Sequence, residues 1–461
     1  MVRVTSNVLS CFKSYDVRGE IGLNIDENIV YRIARALAQH LCAKNIVIGY
    51  DARETSPSFA EAAARGAMEA GSNVHKIGLC GTEEMYWAVT QFDFCAGIVI
   101  TASHNPINFN GLKIVKAKSS PLDTKKDFNV VRKLAESQKW FPVNKVGMLK
   151  DISNEARKKY VKKIISFVDL SKLKKLKIVV NSGNGAAGPT FDCIASELDK
   201  AKSPLEFIRI DHEPDCTFPH GIPNPILPEN QVRTSEKVRS HKADMGIAFD
   251  GDFDRCFFFD DKGSFISGEY IVGMLADIFL DKNPGAKIVH DTRVIWNILD
   301  IIEKKKGLPY KSKTGHSFLK KTMRDNEAIY GGELSAHHYF QDFAYCDSGM
   351  VPWLLIAEYV SQNELSLSEI IIKRSKKYPS SGEKNFVLRD VSKAYDKVLE
   401  QFKDCKKKDL IDGLSCSFKD WRFNLRKSNT EPVLRLNVEA KENKERVFEK
   451  IKLISEVLLS I

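Results

Sequence analysis

The sequence predicts an α/β protein of three successive α/β units, followed by a fourth unit of mixed strand and helix. Three observations predict it. At 461 residues the chain is too long for one compact core. Short apolar runs that read as buried strands alternate with amphipathic or alanine-rich stretches of helical period. Near the end, Tyr378-Pro379-Ser380-Ser381-Gly382-Glu383 has linker composition. The units are expected at residues 1–150, 151–255, 256–370 and 371–461. No short period repeats along them, so a solenoid is not expected.

In the first unit, Asn24-Ile25-Asp26 reads as a helix start, with apolar residues at Val30, Ile33, Ala34, Leu37, Ala38 and Leu41. Asn45 to Asp51 is a strand. Pro57 to Ala70 is an alanine-rich helix closed by Gly71. Val74 to Ile77 and Gly97 to Ile100 are further strands, and this order predicts a largely parallel sheet.

The second unit opens with a lysine-rich helix near 153–168 and the strand Lys177 to Val180. Ser182-Gly183-Asn184-Gly185-Ala186-Ala187-Gly188 follows it. No Gly-Lys-Ser/Thr closes that run, so it reads as a strand-to-helix turn rather than a phosphate loop of the Walker type. Pro214 to Pro228 is a loop, and Met245 to Phe249 is a strand. The third unit begins at Cys256-Phe257-Phe258-Phe259, with a hairpin turn at Asp261-Lys262-Gly263. In the fourth, Lys444 to Leu459 is an amphipathic closing helix.

Composition narrows the function classes. Apolar content of 43% with 28% charge describes an ordinary globular protein. No apolar run is long enough to span a bilayer, and the start lacks the apolar core of a secretion signal, so no membrane partner is expected. The ten cysteines are scattered without C-x-x-C pairs, which suits reduced thiols and a cytoplasmic location. The net charge of +10 is diffuse and accompanies no nucleic-acid motif. A basic cleft for an anionic small molecule is its functional reading.

Four loops carry chemistry. Thr101-Ala102-Ser103-His104-Asn105-Pro106 follows the buried run ending at Ile100, and Asn-Pro forces a turn. Ser103 is therefore expected just past the carboxyl end of a strand, where open α/β sheets place reactive groups. In Asp250-Gly251-Asp252-Phe253-Asp254-Arg255, three acids alternate and share one side of an extended loop. Three carboxylates within ~4 Å would repel by about 4 kcal/mol per pair at an effective dielectric of 20. They splay into water or hold a cation, and hard oxygen ligands suit Mg²⁺. A calcium EF-hand does not fit, because its sixth position is Arg255 and its twelfth is Asp261.

Arg422-Phe423-Asn424-Leu425-Arg426-Lys427-Ser428-Asn429-Thr430 collects donors for an oxyanion in one turn between strands. Gly331-Gly332-Glu333-Leu334-Ser335-Ala336-His337-His338 follows a short strand. There Glu333 and Ser335 point to one side and suit vicinal sugar hydroxyls. Each loop taken alone also reads as a polar turn.

Together the four loops resemble the α-D-phosphohexomutase family over essentially the whole chain. The serine, aspartate, Gly-Glu-x-Ser and Arg-x-Ser-Asn-Thr loops occur once each, in the family's order and spacing. Within the family the chain resembles the bacterial phosphomannomutases that supply GDP-mannose for surface polysaccharides. A phosphoglucomutase, or an enzyme acting on both sugars, is the alternative. The resemblance implies three α/β domains with mixed sheets plus a C-terminal α+β domain, heart-shaped around a central cleft. It makes Ser103 the phosphoserine, with Asp250, Asp252, Asp254 and the Ser103 phosphate around Mg²⁺. Glu333 and Ser335 would bind sugar O3 and O4. Arg426, Ser428, Asn429 and Thr430 would hold the phosphate that is not transferred. Tyr15, Arg18, Lys113, Arg255, His316 and His337 would line the cleft.

Three positions depart from the family's pattern. Phe109 stands where tyrosine is usual, Ala336 replaces a glycine, and His290 replaces a lysine found in some relatives.

The implied reaction moves a phosphoryl group between O6 and O1 of a hexose through a hexose 1,6-bisphosphate, which turns end for end. The ligand is a small phosphosugar, and the protein a monomer or homodimer. Lys113, Arg18, His316 and His337 are the candidate bases, with Lys113 the first choice. A fourth domain moving about Ser380-Ser381-Gly382 is expected to open and close on the ligand. A phosphatase using Ser103, or a non-enzymatic calcium or sugar binder, are the rivals outside the family.

Overall fold

Asp26 starts the first long helix as the sequence predicts. Its carboxylate accepts a hydrogen bond from Ile29 N at 2.7 Å and caps Glu27–His40. The computed structural model describes residues 8–14, 16–405, 407–427 and 433–460. Tyr15, Ser428, Asn429 and Thr430, four of the predicted site residues, lie outside that set.

The described chain divides into two compact units. One runs up to Phe257 and includes Cys346–Gln362. The other comprises Phe258–Tyr345 and the chain beyond Asn363.

The first unit holds two sheets. In the first, the strands run in the order Val17–Glu20, Phe109–Lys116, Ala96–Ile100, Asn45–Tyr50, Asn73–Leu79 and Leu149–Asp151. The last four strands pair in parallel, but Phe109–Lys116 runs antiparallel to both its neighbours. The sheet is thus mixed rather than largely parallel. The reason is local: the serine loop turns the chain straight back beside Ala96–Ile100 with no crossover helix. Helices Glu27–His40 and Ser56–Glu69 cover it, burying Val30, Ile33, Ala34, Ala62 and Ala63 with Ile46, Ile48 and Ile98. Each fully buried valine or isoleucine there contributes about 1.5–3 kcal/mol.

In the second sheet Leu176–Asn181 lies between Leu205–Ile210 and Met245–Phe249, all parallel. The turn at 182–186 leads into helix Ala187–Lys200, as expected. Helix Met350–Gln362 also belongs to this unit. Its Trp353 is fully buried against Phe191 and Phe207, with ring centroids 5.4 and 5.8 Å away.

In the second unit, Lys287–His290 pairs in parallel with Leu308–Lys311 and Tyr330–Gly332. Tyr330–Gly332 forms an antiparallel hairpin with His338–Phe340, and residues 333–337 are its tip. The remaining sheet is antiparallel throughout: Ser380–Val387, Val433–Ala440, Trp421–Lys427, Leu414–Ser417, Lys407–Asp409. Helices Val391–Gln401 and Lys444–Leu459 pack on it through Ala394, Val398, Val447 and Ile454.

The segment of linker composition is therefore structured. From Ser380 it is a strand, and its Ser-Ser-Gly run accommodates a register shift against Val433–Ala440, with Gly382 at φ +62°.

Candidate functional site

Ser103 lies just past the carboxyl end of Ala96–Ile100 and is buried. Its φ is +49°, a left-handed backbone that costs a side-chain-bearing residue energy and must be held by its surroundings. The Ser103 amide donates to Thr101 Oγ1 at 2.8 Å. Arg53, which sequence reasoning missed, holds the rest of the loop. Its guanidinium donates to the carbonyls of Ser103 (2.9 Å), Asn105 (2.6 Å), Pro106 (2.9 Å) and Phe109 (2.9 Å). The signal available was Asp51-Ala52-Arg53, a charged pair directly after a buried strand.

The aspartate loop comes from 147 residues further along the chain, yet Ser103 Oγ donates to Asp250 Oδ2 at 2.8 Å. Gly251 permits the approach, since a Cβ there would stand 2.6 Å from the Ser103 carbonyl oxygen. Phe253, at φ +42°, turns inward and is fully buried. Gly81 makes room for its ring, which a Cβ at that position would meet at 2.3 Å.

Asp250, Asp252 and Asp254 are all buried, and one oxygen of each lies within 4.8 Å of the others. Their countercharges are those the sequence singled out. Arg255 donates Nε and Nη2 to Asp250 Oδ2 at 2.9 and 2.7 Å. Lys113 Nζ donates to Asp252 Oδ2 at 2.7 Å and also to Asp254. Burial works against charge on Lys113, but Asp252 and Asp254 outweigh it and hold its pKa above the ordinary range. Burial likewise opposes ionisation of Asp252, while Lys113 and a hydrogen bond from Thr82 hold its carboxyl well below the usual carboxylate range. Asp252 Oδ1 is buried without a hydrogen-bond partner. An all-oxygen set with an unused buried lone pair fits a hard divalent cation such as Mg²⁺.

Arg18 and Lys113 reach this place through the sheet. Arg18 pairs with Gly111 and Lys113 with Val99 in adjacent strands. Arg18 donates to the Thr101 carbonyl at the root of the serine loop. His104 Nδ1 accepts from Arg255 Nη2 at 2.6 Å and lies 3.0 Å from Ser103 Oγ.

The second unit gathers the other predicted residues. Glu333 is buried at the hairpin tip, accepting from Gly315 N (2.7 Å) and Tyr339 OH (2.6 Å). Ser335 Oγ lies 3.4 Å from Arg293 Nη2. His316 opens helix His316–Asn326 directly after Gly315, and the His337 carbonyl accepts from Glu333 N at 2.9 Å. Ala336 has φ +70°, a backbone that glycine adopts at less cost.

Arg426 is buried on Trp421–Lys427 and donates to Glu383 Oε2 at 3.0 Å. Burial and the guanidinium of Arg293 lower its pKa, and Glu383 opposes them. His290 is buried, with its pKa pushed down to about 4 by desolvation, so it carries no charge at neutral pH. Arg293 and Glu383, like Arg53, were not singled out from the sequence.

Four family profiles cover the chain in order. Phosphoglucomutase/phosphomannomutase alpha/beta/alpha domain I matches residues 10–140, domain II 158–263, domain III 267–378 and the C-terminal domain 382–452.

The chain belongs to the phosphoglucomutase/phosphomannomutase family.

A phosphomannomutase from Escherichia coli is 50% identical, aligned over 94% of this chain and 95% of its own length. One from Vibrio cholerae serotype O1 is 47% identical over 98% of each. The crystal structure of a phosphoglucomutase/phosphomannomutase family protein from Burkholderia thailandensis superposes with a TM-score of 0.86 at 27% identity, covering 98% of both chains. The α-D-phosphohexomutase resemblance is thereby established, and with it three α/β domains, a C-terminal α+β domain and an enzyme of the isomerase class. Among the described residues no helix is long and apolar enough to cross a membrane.

Proposed function

We propose that this family member interconverts mannose 6-phosphate and mannose 1-phosphate through a phosphoserine at Ser103 and a hexose 1,6-bisphosphate. One observation carries the reading: the Ser103 hydroxyl, 2.8 Å from Asp250, sits at the edge of a buried set of three carboxylates. The names of the relatives that are 50% and 47% identical support mannose as the sugar.

In the first half-reaction the bond between phosphorus and Ser103 Oγ breaks as a bond to the free sugar hydroxyl oxygen forms. The hydroxyl proton ends on Oγ, and the second half-reaction reverses this at the other end of the sugar. Such transfer needs in-line positioning and charge neutralisation. Asp250 fixes the direction of the Ser103 hydroxyl, and Arg53 fixes the loop beneath it. Arg255 and Lys113 bring positive charge to the transferring group; a preorganised donor of this kind contributes about 3–4 kcal/mol. Asp250, Asp252 and Asp254 would hold Mg²⁺, which when bound neutralises charge on the phosphoryl group.

Lys113, held as an ammonium between two carboxylates, acts as a charge rather than as the base. Arg18 braces Thr101. The base role then falls to His316 or His337. Glu333 and Ser335 take sugar O3 and O4, and Arg426 with Ser428, Asn429 and Thr430 takes the distal phosphate. Tyr15 completes the lining. We place the domain divisions near 150, 265 and 380 rather than at 255 and 370, because the profiles match 158–263, 267–378 and 382–452 and the strand Cys256–Phe259 joins the second sheet. The product feeds GDP-mannose synthesis in the cytoplasm.

The test assays mannose 1-phosphate against glucose 1-phosphate with a hexose 1,6-bisphosphate activator. Faster turnover of the mannose ester is expected. Equal or faster glucose turnover replaces the reading with a dual-specificity enzyme or a phosphoglucomutase. Phosphate release without isomerisation replaces it with a phosphatase.

A further inference from the structure

Glu383 is one residue past Gly382, on the strand Ser380–Val387 that opens the C-terminal sheet. Three guanidinium groups converge on its carboxylate. Oε2 accepts from Arg426 Nη2 at 3.0 Å and faces Arg293 Nη1 at 3.5 Å, while Oε1 accepts from Arg435 Nη1 at 3.1 Å. Arg293 reaches on to the sugar loop. Its Nη2 lies 3.4 Å from Ser335 Oγ and 4.0 Å from Glu333 Oε1. Asp291 locks it in place, accepting Nε and Nη2 at 2.9 and 2.6 Å and also the Leu334 amide at 3.0 Å. One continuous chain of polar contacts thus runs Ser335, Arg293, Glu383, Arg426.

Ser335, Arg293, Glu383 and Arg426 come from four distant stretches of sequence, and none of the contacts along that chain is local. Arg293 and Arg426 are buried, so the two like charges repel in a poorly screened setting unless an anion lies between them. Glu383 is that anion. Arg426 directs Nη2 at Glu383, and its Nε is buried without a hydrogen-bond partner, so donor capacity remains for a second anion.

We propose that Glu383 is a positioning residue, which fixes the phosphate-holding Arg426 and, through Arg293, the sugar-holding Ser335 at one spacing. This rests on the reading of Arg426 and Ser335 given above. A monophosphate sugar presents its phosphate and its hydroxyls at a fixed separation, so a set spacing of the two holders acts on binding rather than on bond breaking.

The experiment compares wild type, Glu383→Gln and Glu383→Asp in steady-state kinetics with mannose 1-phosphate. Calorimetric binding of mannose 1-phosphate and thermal melting are measured on the same proteins. Glu383→Gln is expected to raise KM and Kd at least about tenfold while kcat changes by less than about threefold. Glu383→Asp, which keeps the charge, is expected to recover part of that loss. Unchanged KM and Kd, or a loss confined to kcat or to melting temperature, overturns the proposal. Should Glu383→Gln fail to fold, Arg293→Lys, which keeps the charge but loses the planar fork, is expected to raise KM likewise. An unchanged KM in that variant also overturns the proposal. A wild-type protein that binds mannose 1-phosphate without isomerising it removes the mutase reading, and the Kd comparison then decides the role of Glu383 by itself.

Discussion

Lys113 Nζ lies 2.7 Å from Asp252 Oδ2, although 139 residues separate them in the chain. The same ammonium also reaches Asp254. Removing it leaves two buried carboxylates facing each other, and breaking a buried pair costs about 3–5 kcal/mol. Lys113→Met is expected to lower stability by that order without Mg²⁺ and to recover part of it when Mg²⁺ is added. Its kcat is expected to fall about a hundredfold or more. Denaturant melts with and without Mg²⁺ measure the first effect, and steady-state kinetics the second.

Arg53 donates to four carbonyls of the serine loop, those of Ser103, Asn105, Pro106 and Phe109. A lysine at this position cannot reproduce the planar fork. Arg53→Lys is expected to lower kcat about 10–100-fold, through Ser103 misplacement alone. The check is kinetic, and a kcat equal to wild type would show that the loop holds its left-handed turn without Arg53.

Glu83 is fully buried, accepting from Gly349 N (2.9 Å), Met350 N (3.1 Å) and the Ser348 hydroxyl. Burial pushes its pKa up to about 8, against an ordinary value near 4.5. The folded state therefore binds this proton more tightly than the unfolded chain. The stabilisation is complete below about pH 4.5 and is lost as pH rises through about 8. Glu83→Gln keeps the shape, accepts the same amides and does not ionise. Between pH 6 and pH 9 the variant is expected to lose less stability than wild type, as measured by denaturant melts across that interval.

Ala336 carries φ +70°, a backbone that penalises any side chain. Ala336→Gly is expected to stabilise the protein by about 0.5–1 kcal/mol, the relief of strain being partly offset by a freer unfolded chain. Thermal denaturation checks the sign.

The readable parts of this protein were those with local causes. Asp26, the alanine-rich helix and Lys444–Leu459 announce themselves through caps and helical period. The serine and aspartate loops follow buried strands and carry dense chemistry, so Ser103, Asp250, Asp252 and Asp254 stand out in the sequence itself. The residues that brace them do not. Arg53 and Glu383 act through carbonyls or guanidinium groups from distant stretches, and no periodicity or spacing in one sequence encodes such partners. The antiparallel course of Phe109–Lys116 was hidden for a similar reason. A tight reversal and a crossover read alike once the turn residues also serve the site. The strand Ser380–Val387 was obscured by its own bulge, whose serines and glycine have the composition of a linker.

The central claim is that Ser103 carries and returns the phosphoryl group. Its most direct test is intact mass and peptide mapping after incubation with a hexose 1,6-bisphosphate and Mg²⁺, before and after the bisphosphate is washed out and excess mannose 1-phosphate is added. The account predicts one phosphoryl group on the peptide containing Ser103, lost to the sugar on the second addition and absent in Ser103→Ala. An active protein with no phosphate at Ser103, or with a phosphate there that no sugar removes, would contradict it.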